Sequence, residues 1–158
     1  MKSNQFTALD GSGLRIAVIA ARFNQALTDA MLADCLAALA DANVAAQDIV
    51  TLRVPGSFEL PVAAAMCADD EGYDAIICLG LIIKGDTRHD HYIADAVANG
   101  LTNISIRTHI PVIFGVLTTE NLGQAEARAL GGQKKGWEAG KSAIEIVRTL
   151  RATTSTGE

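Results

Sequence analysis

The chain has 158 residues, of which 49% are hydrophobic and 20% charged, and a formal net charge of −5 at pH 7. This length and composition predict a single globular domain, residues 1–158, whose polar ends at 1–12 and 152–158 are mobile. The negative charge argues against nucleic acid and favours small molecules or copies of the chain as partners. No apolar run resembles a membrane span or a signal peptide, so we expect a cytoplasmic protein without a membrane partner.

Apolar runs of strand length alternate with longer segments of helical spacing, a pattern typical of a parallel sheet covered by helices. The predicted strands are Arg15–Ala20, Ile49–Val54, Ala75–Leu81 and Pro111–Leu117. Helices are predicted between them, and Trp137–Arg151 has the charged and apolar faces of a surface helix. We therefore predict an α/β fold, a three-layer αβα sandwich with a central four-stranded parallel sheet of flavodoxin-like type.

Ligands bind outside the carboxyl ends of the strands in such sheets, so the residues after each strand are candidates for a site. The first predicted strand runs into Phe23, one of only four phenylalanines in the chain. Its ring can stack on a ligand, or it can belong to the core or to an interface between subunits. The sequence leaves both roles open.

The second predicted strand runs into Pro55–Pro61. Ser57 is expected to cap the helix that follows Gly56, and its backbone can still contact a ligand. Glu59 lies in the first turn of that helix, where the helix dipole favours a carboxylate. This carboxylate can stabilise the helix or accept hydrogen bonds from a polyhydroxyl ligand.

The third strand is almost wholly apolar over Ala75–Ile83, and the segment after it is rich in ionisable groups. Gly85 allows the backbone to turn, and Thr87 with Asp90 has the Thr-x-x-Asp form of a helix cap. This places His89 in the first turn of the next helix, where exposed N–H groups favour anions and a neutral imidazole. Such an imidazole can transfer protons near pH 7.

A metal site is disfavoured, although His89 and His91 lie close to Asp86. Residues two apart face different sides of a helix, and no Glu or Cys cluster completes a coordination shell. His109, before the fourth strand, is expected on the surface at the opposite end of the sheet. Gly11-Ser12-Gly13 precedes a strand and no phosphate-binding loop motif occurs, which argues against nicotinamide and ATP cofactors.

The three cysteines are odd in number and widely spaced, without a Cys-x-x-Cys motif. Disulfides and zinc knuckles are therefore disfavoured. We interpret Cys35, Cys67 and Cys78 as small buried hydrophobic residues.

Five segments, in collinear order over roughly residues 14–150, resemble the 6,7-dimethyl-8-ribityllumazine synthase family. Five spaced motifs are far more specific than any one of them. The segments are Ala21–Asn24, Pro55–Pro61, Ile82–His89, Pro111–Thr118 and Gln124–Ala129.

The resemblance implies the penultimate step of riboflavin biosynthesis, catalysed by a transferase without a cofactor or metal. In this step, 5-amino-6-(D-ribitylamino)uracil condenses with 3,4-dihydroxy-2-butanone 4-phosphate to give 6,7-dimethyl-8-ribityllumazine, phosphate and water. The resemblance also implies a homopentamer, or a multiple of one, with active sites between subunits.

Position by position, the resemblance makes His89 the proton donor. The residues that it places on the ribitylaminouracil are Phe23, Ser57, Phe58, Glu59, Leu81, Ile82, Ile83 and, from the neighbouring subunit, Phe114. The residues that it places near the butanone phosphate are Asp86, Thr87, Arg128 and Lys135.

Two other functions fit the same fold. A non-catalytic flavin- or lumazine-binding module would use the aromatic platform, since fold alone does not decide function. A binding module for a neutral ring, however, needs neither the phosphate anchor Arg128 nor the proton donor His89. In a structural shell protein, only the helix faces would matter.

Overall fold

The fold comes from a computed structural model, which describes residue 6, residues 8–70 and residues 72–154. The strands are β1 (Ile16–Ala21), β2 (Ile49–Val54), β3 (Ala75–Ile83) and β4 (Val112–Thr119). The helices are α1 (Gln25–Asp41), α2 (Leu60–Asp69), α3 (His89–Thr108), α4 (Leu122–Ala129) and α5 (Lys135–Thr154). Two short 3-10 turns lie at Ala46–Asp48 and Ser57–Glu59. The strands pair in parallel in the order β2-β1-β3-β4. This order, with helices on both faces, confirms the predicted three-layer flavodoxin-like fold.

The central strands β1 and β3 are buried on both faces, which explains why they read as continuous apolar runs. Alternate side chains enter two separate cores. Val18 and Ile77 pack with α1, α4 and α5 on one face, which we call the first face. Ile19 and Cys78 pack with α2 and α3 on the other, the second face.

The sheet extends further towards its carboxyl end on one side than the sequence predicts. Strand β2 matches its predicted bounds, whereas β3 and β4 each continue two residues further, to Ile83 and Thr119. These two residues pair with each other, while the pairing of β1 with β3 ends at Ala20 and Leu79. The last residues of β3 therefore extend beyond the end of β1 at the carboxyl end of the sheet, where, of the described strands, only β4 pairs with them.

Helix α4 is not among the predicted elements. The Asn121 side chain caps it by accepting a hydrogen bond from the Gln124 N–H at 2.9 Å. Its buried positions are Ala125 and Ala129, which are too small to give a strong hydrophobic period. Helix α5 is longer than predicted at both ends.

The described parts of the two ends make contacts with the domain. Leu9 packs against the core on the first face, and Arg148 of α5 donates hydrogen bonds to the carbonyls of Asp10 and Ser12. Helix α5 continues to Thr154. The rest of the ends for which mobility is predicted, residues 1–5, 7 and 155–158, lies outside the described residues.

All three cysteines are free and buried, as predicted. Burial raises the pKa of Cys35 to about 12, and it also raises the pKa values of Cys67 and Cys78. Among the helices in the described ranges, none combines the length and the apolar character needed to cross a membrane.

Candidate active site

The loops after β1 and β2 are joined at the carboxyl end of the sheet. The N–H of Phe23 donates a hydrogen bond to the Pro55 carbonyl at 2.9 Å, and the Arg22 N–H donates one to Val54 at 2.8 Å. The Phe23 ring lies against Gly56, where an added Cβ would be 2.6 Å from the ring. Because 66% of Phe23 is nevertheless exposed, the ring presents a free aromatic surface beside this loop.

The Ser57–Glu59 turn leads into α2 and is capped by Glu59. Glu59 Oε2 accepts a hydrogen bond from the Gly56 N–H at 3.0 Å. The prediction that Ser57 caps this helix is wrong. Its hydroxyl is buried against Gly80 of β3 and has no hydrogen-bond partner among the described residues, because the turn directs it into the sheet. Phe58 points outwards and is 62% exposed.

The loops after β1, β2 and β3 surround an opening at the carboxyl end of the sheet, which we call the mouth. The last residues of β3 present their backbone, and not their side chains, to this mouth. The side chains of Leu81 and Ile82 are buried, and that of Ile83 is partly buried. Because the pairing of β3 with β1 ends at Leu79, the described β3 residues beyond it pair only with β4. Their edge towards Phe23 can therefore offer N–H and C=O groups to a ligand.

The loop after β3 delivers His89 to the first position of α3, as predicted. The predicted Thr87–Asp90 cap is wrong, because Arg88 occupies the N-cap position of α3 and no side chain among the residues that the structure describes caps the helix. The Thr87 hydroxyl accepts a hydrogen bond from the His89 N–H at 3.3 Å. The Asp90 Oδ1 is buried without a hydrogen-bond partner in the described part of the chain. Asp86, Thr87 and His89 are all exposed at this helix N-terminus, and the free N–H groups of its first turn favour an anion.

An ion pair links this loop to the end of β4. Lys84 Nζ lies 3.3 Å from Glu120 Oε2, and the Lys84 N–H donates a hydrogen bond to the Thr119 carbonyl at 2.9 Å. A cavity of about 670 Å³ is lined by the loop and α3, including Lys84, Asp86, Thr87 and Arg88. The polar lining fits a charged or hydroxylated ligand.

Arg128 and Lys135, the other predicted phosphate ligands, lie on the first face of the sheet. Arg128 donates a hydrogen bond to the Gln124 carbonyl within α4 at 3.0 Å. Lys135 Nζ lies 3.5 Å from Glu138 in the first turn of α5. The Ser57–Glu59 turn and α3, in contrast, belong to the second face. The two basic residues and the turn therefore flank the sheet from opposite sides.

Phe114 lies far from Phe23 in space within one folded chain. It pairs with Cys78, which pairs with Ile19, and Phe114 is the third of the eight residues of the outer strand β4. Two strand spacings and four residues of rise put it on the order of 15 Å from Phe23. It is 42% exposed. The two rings therefore lie at different levels of the sheet, on strands that are separated by β3.

Sequence reasoning missed the role of Gly136 in placing Lys135. An added Cβ at Gly136 would collide with the backbone of Met31 in α1, so only glycine allows α5 to begin there. Nothing in the local spacing indicates this approach between distant segments.

At the opposite end of the sheet, His109 is exposed as predicted and ends α3 in a left-handed conformation (φ 59°).

Acidic, histidine and cysteine side chains do not gather into a metal-binding group of three or more anywhere in the described ranges. The site is built instead from an aromatic ring, a carboxylate, an imidazole and open backbone groups. Such groups can hold a polar heterocycle with hydroxyl groups and move protons.

Comparisons with known proteins agree with this chemistry. The family model described as 6,7-dimethyl-8-ribityllumazine synthase matches residues 13–151. The chain is 47% identical over 146 residues to a protein of that name from Kineococcus radiotolerans, covering 90% of this chain and 89% of the relative. It is 41% identical over 160 residues to one from Cutibacterium acnes, covering 99% and 94%. The chain belongs to the 6,7-dimethyl-8-ribityllumazine synthase family.

Proposed function

We propose that this chain condenses 5-amino-6-(D-ribitylamino)uracil with 3,4-dihydroxy-2-butanone 4-phosphate, giving 6,7-dimethyl-8-ribityllumazine, phosphate and water in riboflavin biosynthesis. The observation that carries the proposal is the family match over nearly the whole chain. The free aromatic surface, the carboxylate and the helix N-terminus at one mouth supply the chemistry that these two substrates need. The three free cysteines suit a reducing compartment, which supports a cytoplasmic enzyme.

The ribitylaminouracil would lie between Phe23 and the end of β3. Its pyrimidine ring would stack on Phe23 and bond to open backbone groups of Leu81–Ile83. Ser57 and Phe58 would border it, and the oxygen of Glu59 that does not cap the turn would accept hydrogen bonds from ribityl hydroxyls.

The butanone phosphate would bind at the start of α3. The N–H groups of that helix and the Thr87 hydroxyl favour an anion, and Asp86 would orient the substrate hydroxyls. Arg128 and Lys135 would add positive charge to the phosphate. As the two basic residues flank the sheet from the other side, we assign them to a neighbouring subunit.

The mechanism follows from holding both substrates together. The amine attacks the ketone to form an imine with loss of water; phosphate then leaves, the product tautomerises, and the ribityl-bearing nitrogen closes the ring with loss of a second water. Orientation of two substrates can contribute about 7–11 kcal/mol, and a positioned acid about 10²–10⁴-fold in rate. His89, exposed beside the loop, would transfer the protons.

The separation of Phe23 and Phe114 supports a site shared between subunits. A neighbouring chain that presents the outer edge of its β4 to this mouth would close Phe114 over the pyrimidine. Such a contact joins two different surfaces and is therefore heterologous, which closes into a ring when the rotation allows. The family resemblance implies five subunits in such a ring, and on that ground we propose a homopentamer, or a multiple of one.

Mixing the purified chain with both substrates and following lumazine absorbance tests the function. We expect product and one phosphate per turnover without added metal or cofactor. Binding of lumazine without any formation of product from the two substrates would instead identify a binding module.

A further inference from the structure

Gly80 occupies a special place in the site because β3 leaves β1 there. Its Cα faces the Ser57 hydroxyl, and an added Cβ would lie less than 3.0 Å from Ser57 Oγ and 3.2 Å from Leu60 Cδ1. Real Cβ atoms do not approach other atoms below 3.0 Å, so any larger residue at position 80 must displace the Ser57 side chain, either by rotating it about its Cα–Cβ bond or by moving the turn that carries it.

Ser57 is held in this position by packing alone. It is 7% exposed, and its hydroxyl finds no hydrogen-bond partner among the described residues. A buried hydroxyl without a partner lowers stability, so its position is not explained by a gain in folding energy. With no hydrogen bond to fix it, the depth of the hydroxyl is set by the surface beneath it, which is Gly80.

The turn carries the ligand-facing groups with it. Glu59 is fixed to Gly56 by its 3.0 Å hydrogen bond, and the Phe23 ring rests on the same glycine. A movement of Ser57 is therefore transmitted through three residues of turn to the carboxylate and the aromatic surface.

We propose that Gly80 is a positioning residue of the active site. By seating the Ser57 hydroxyl, it sets the height of the turn, and hence of Glu59 and Phe23, above the sheet. The inference rests on the proposed function, since it concerns recognition of the ribityl-bearing substrate. Gly80 itself need not touch either substrate.

A double-mutant cycle tests the proposal with Gly80→Ala, Ser57→Ala and the two combined. Misplacement of the order of 1 Å can cost about 100-fold, so we expect Gly80→Ala to raise KM for ribitylaminouracil about tenfold or more. KM for the butanone phosphate should change less than about threefold, because Thr87 lies on a different loop. In chains that already carry Ser57→Ala, adding Gly80→Ala should change both KM values less than about threefold.

Gly140→Ala is the matched control. An added Cβ there would lie 2.9 Å from Ala38 Cβ and from the Cys35 carbonyl, on the first face of the sheet. It should lower stability while both KM values stay near those of the wild type. This separates positioning from a general loss of stability.

Equal effects of Gly80→Ala with and without Ser57→Ala would overturn the proposal, as would an unchanged KM for ribitylaminouracil in folded Gly80→Ala. If Gly80→Ala alone fails to fold, the double variant decides. A folded double variant with the same KM values as Ser57→Ala supports the proposal that Gly80 positions Ser57. A double variant that does not fold, or that has a raised KM, refutes the proposal. Absence of turnover in the wild-type chain would refute the proposed function instead.

Discussion

Glu59 combines one task that the structure shows with one that we propose. One carboxylate oxygen caps the turn through the Gly56 N–H, and the other is the proposed acceptor for ribityl hydroxyls. The cap fixes the side-chain rotamer before any ligand arrives. Part of the entropy cost of ordering a long acidic side chain is thus met in folding and not in binding.

The two tasks of Glu59 can be separated by substitution. In Glu59→Gln the amide oxygen can still accept from Gly56, so we expect stability close to that of the wild type and a raised KM for ribitylaminouracil. In Glu59→Ala the cap is lost as well, which should cost about 0.5–2 kcal/mol in the free energy of unfolding. Urea unfolding and steady-state kinetics measure the two effects. Equal destabilisation by both substitutions would contradict the capping role.

His89 should affect the rate and not the affinity. Its removal leaves both binding surfaces in place, so we expect His89→Ala to lower kcat about 10–10³-fold with little change in either KM. His109→Asn is the control, because that exposed imidazole lies at the opposite end of the sheet and asparagine tolerates its left-handed backbone conformation. Comparable losses of kcat in the two variants would argue against a specific proton donor.

The strands explain why the core was accessible to sequence reasoning and parts of the site were not. Apolar runs such as Ala75–Ile83 need no distant information, since a strand buried on both faces is apolar throughout. The cap at Gly56 was different. Ser57 and Glu59 both suit a helix N-terminus, and the choice was made by Gly80, 23 residues away in sequence, whose lack of a side chain accepts the serine.

The sequence predicted the placement of some site residues and not of others. The position of His89 followed from local turn chemistry, and the structure confirms it. The extension of β3 beyond the end of β1, to Ile83, could not be predicted, because the pairing between two strands cannot be read from the sequence of one of them. Helix α4 was missed because its core contacts are made by alanines. The substrate roles of the site residues remain predictions.

The buried thiols of α1 and β3 predict a loss of stability at high pH. Burial raises the pKa of Cys35 from 9.0 to about 12 and also raises that of Cys78. Below about pH 9 both states hold these protons, and above it the unfolded chain releases protons that the folded chain retains. The free energy of unfolding should therefore fall from about pH 9 towards about pH 12.

Urea unfolding near neutral pH and at about pH 10.5 measures this loss. Cys35→Ala removes one of the thiols, so the same rise in pH should cost the variant less than it costs the wild type. Lysine and tyrosine titration is common to both proteins and cancels in the difference. An identical loss in both would show that Cys35 ionises equally in the two states.

At the scale of the whole molecule, the proposed site belongs to a contact between chains. His89 would come from one subunit and Arg128 from the next. Two impaired variants, His89→Ala and Arg128→Ala, should therefore regain activity when they are unfolded together and reassembled in equal amounts. By random pairing of heterologous faces, about one junction in four should be intact.

The control for this mixing experiment is each variant refolded alone. Activity near a quarter of the wild-type value should appear only after co-assembly. Native mass spectrometry would verify that mixed rings have formed. Mixed rings with no more activity than their parents would mean that each site lies within one chain.

The distance between Phe23 and Phe114 has a further consequence for how activity depends on concentration. In the proposed ring, an isolated chain would hold only half of a site, so dilution below the dissociation constant of the ring would abolish turnover without unfolding the chain. Specific activity would then report assembly, and substrate would favour the ring by the linkage that couples ligand binding to subunit association. A cell making little of this enzyme would gain activity more steeply than it gains protein.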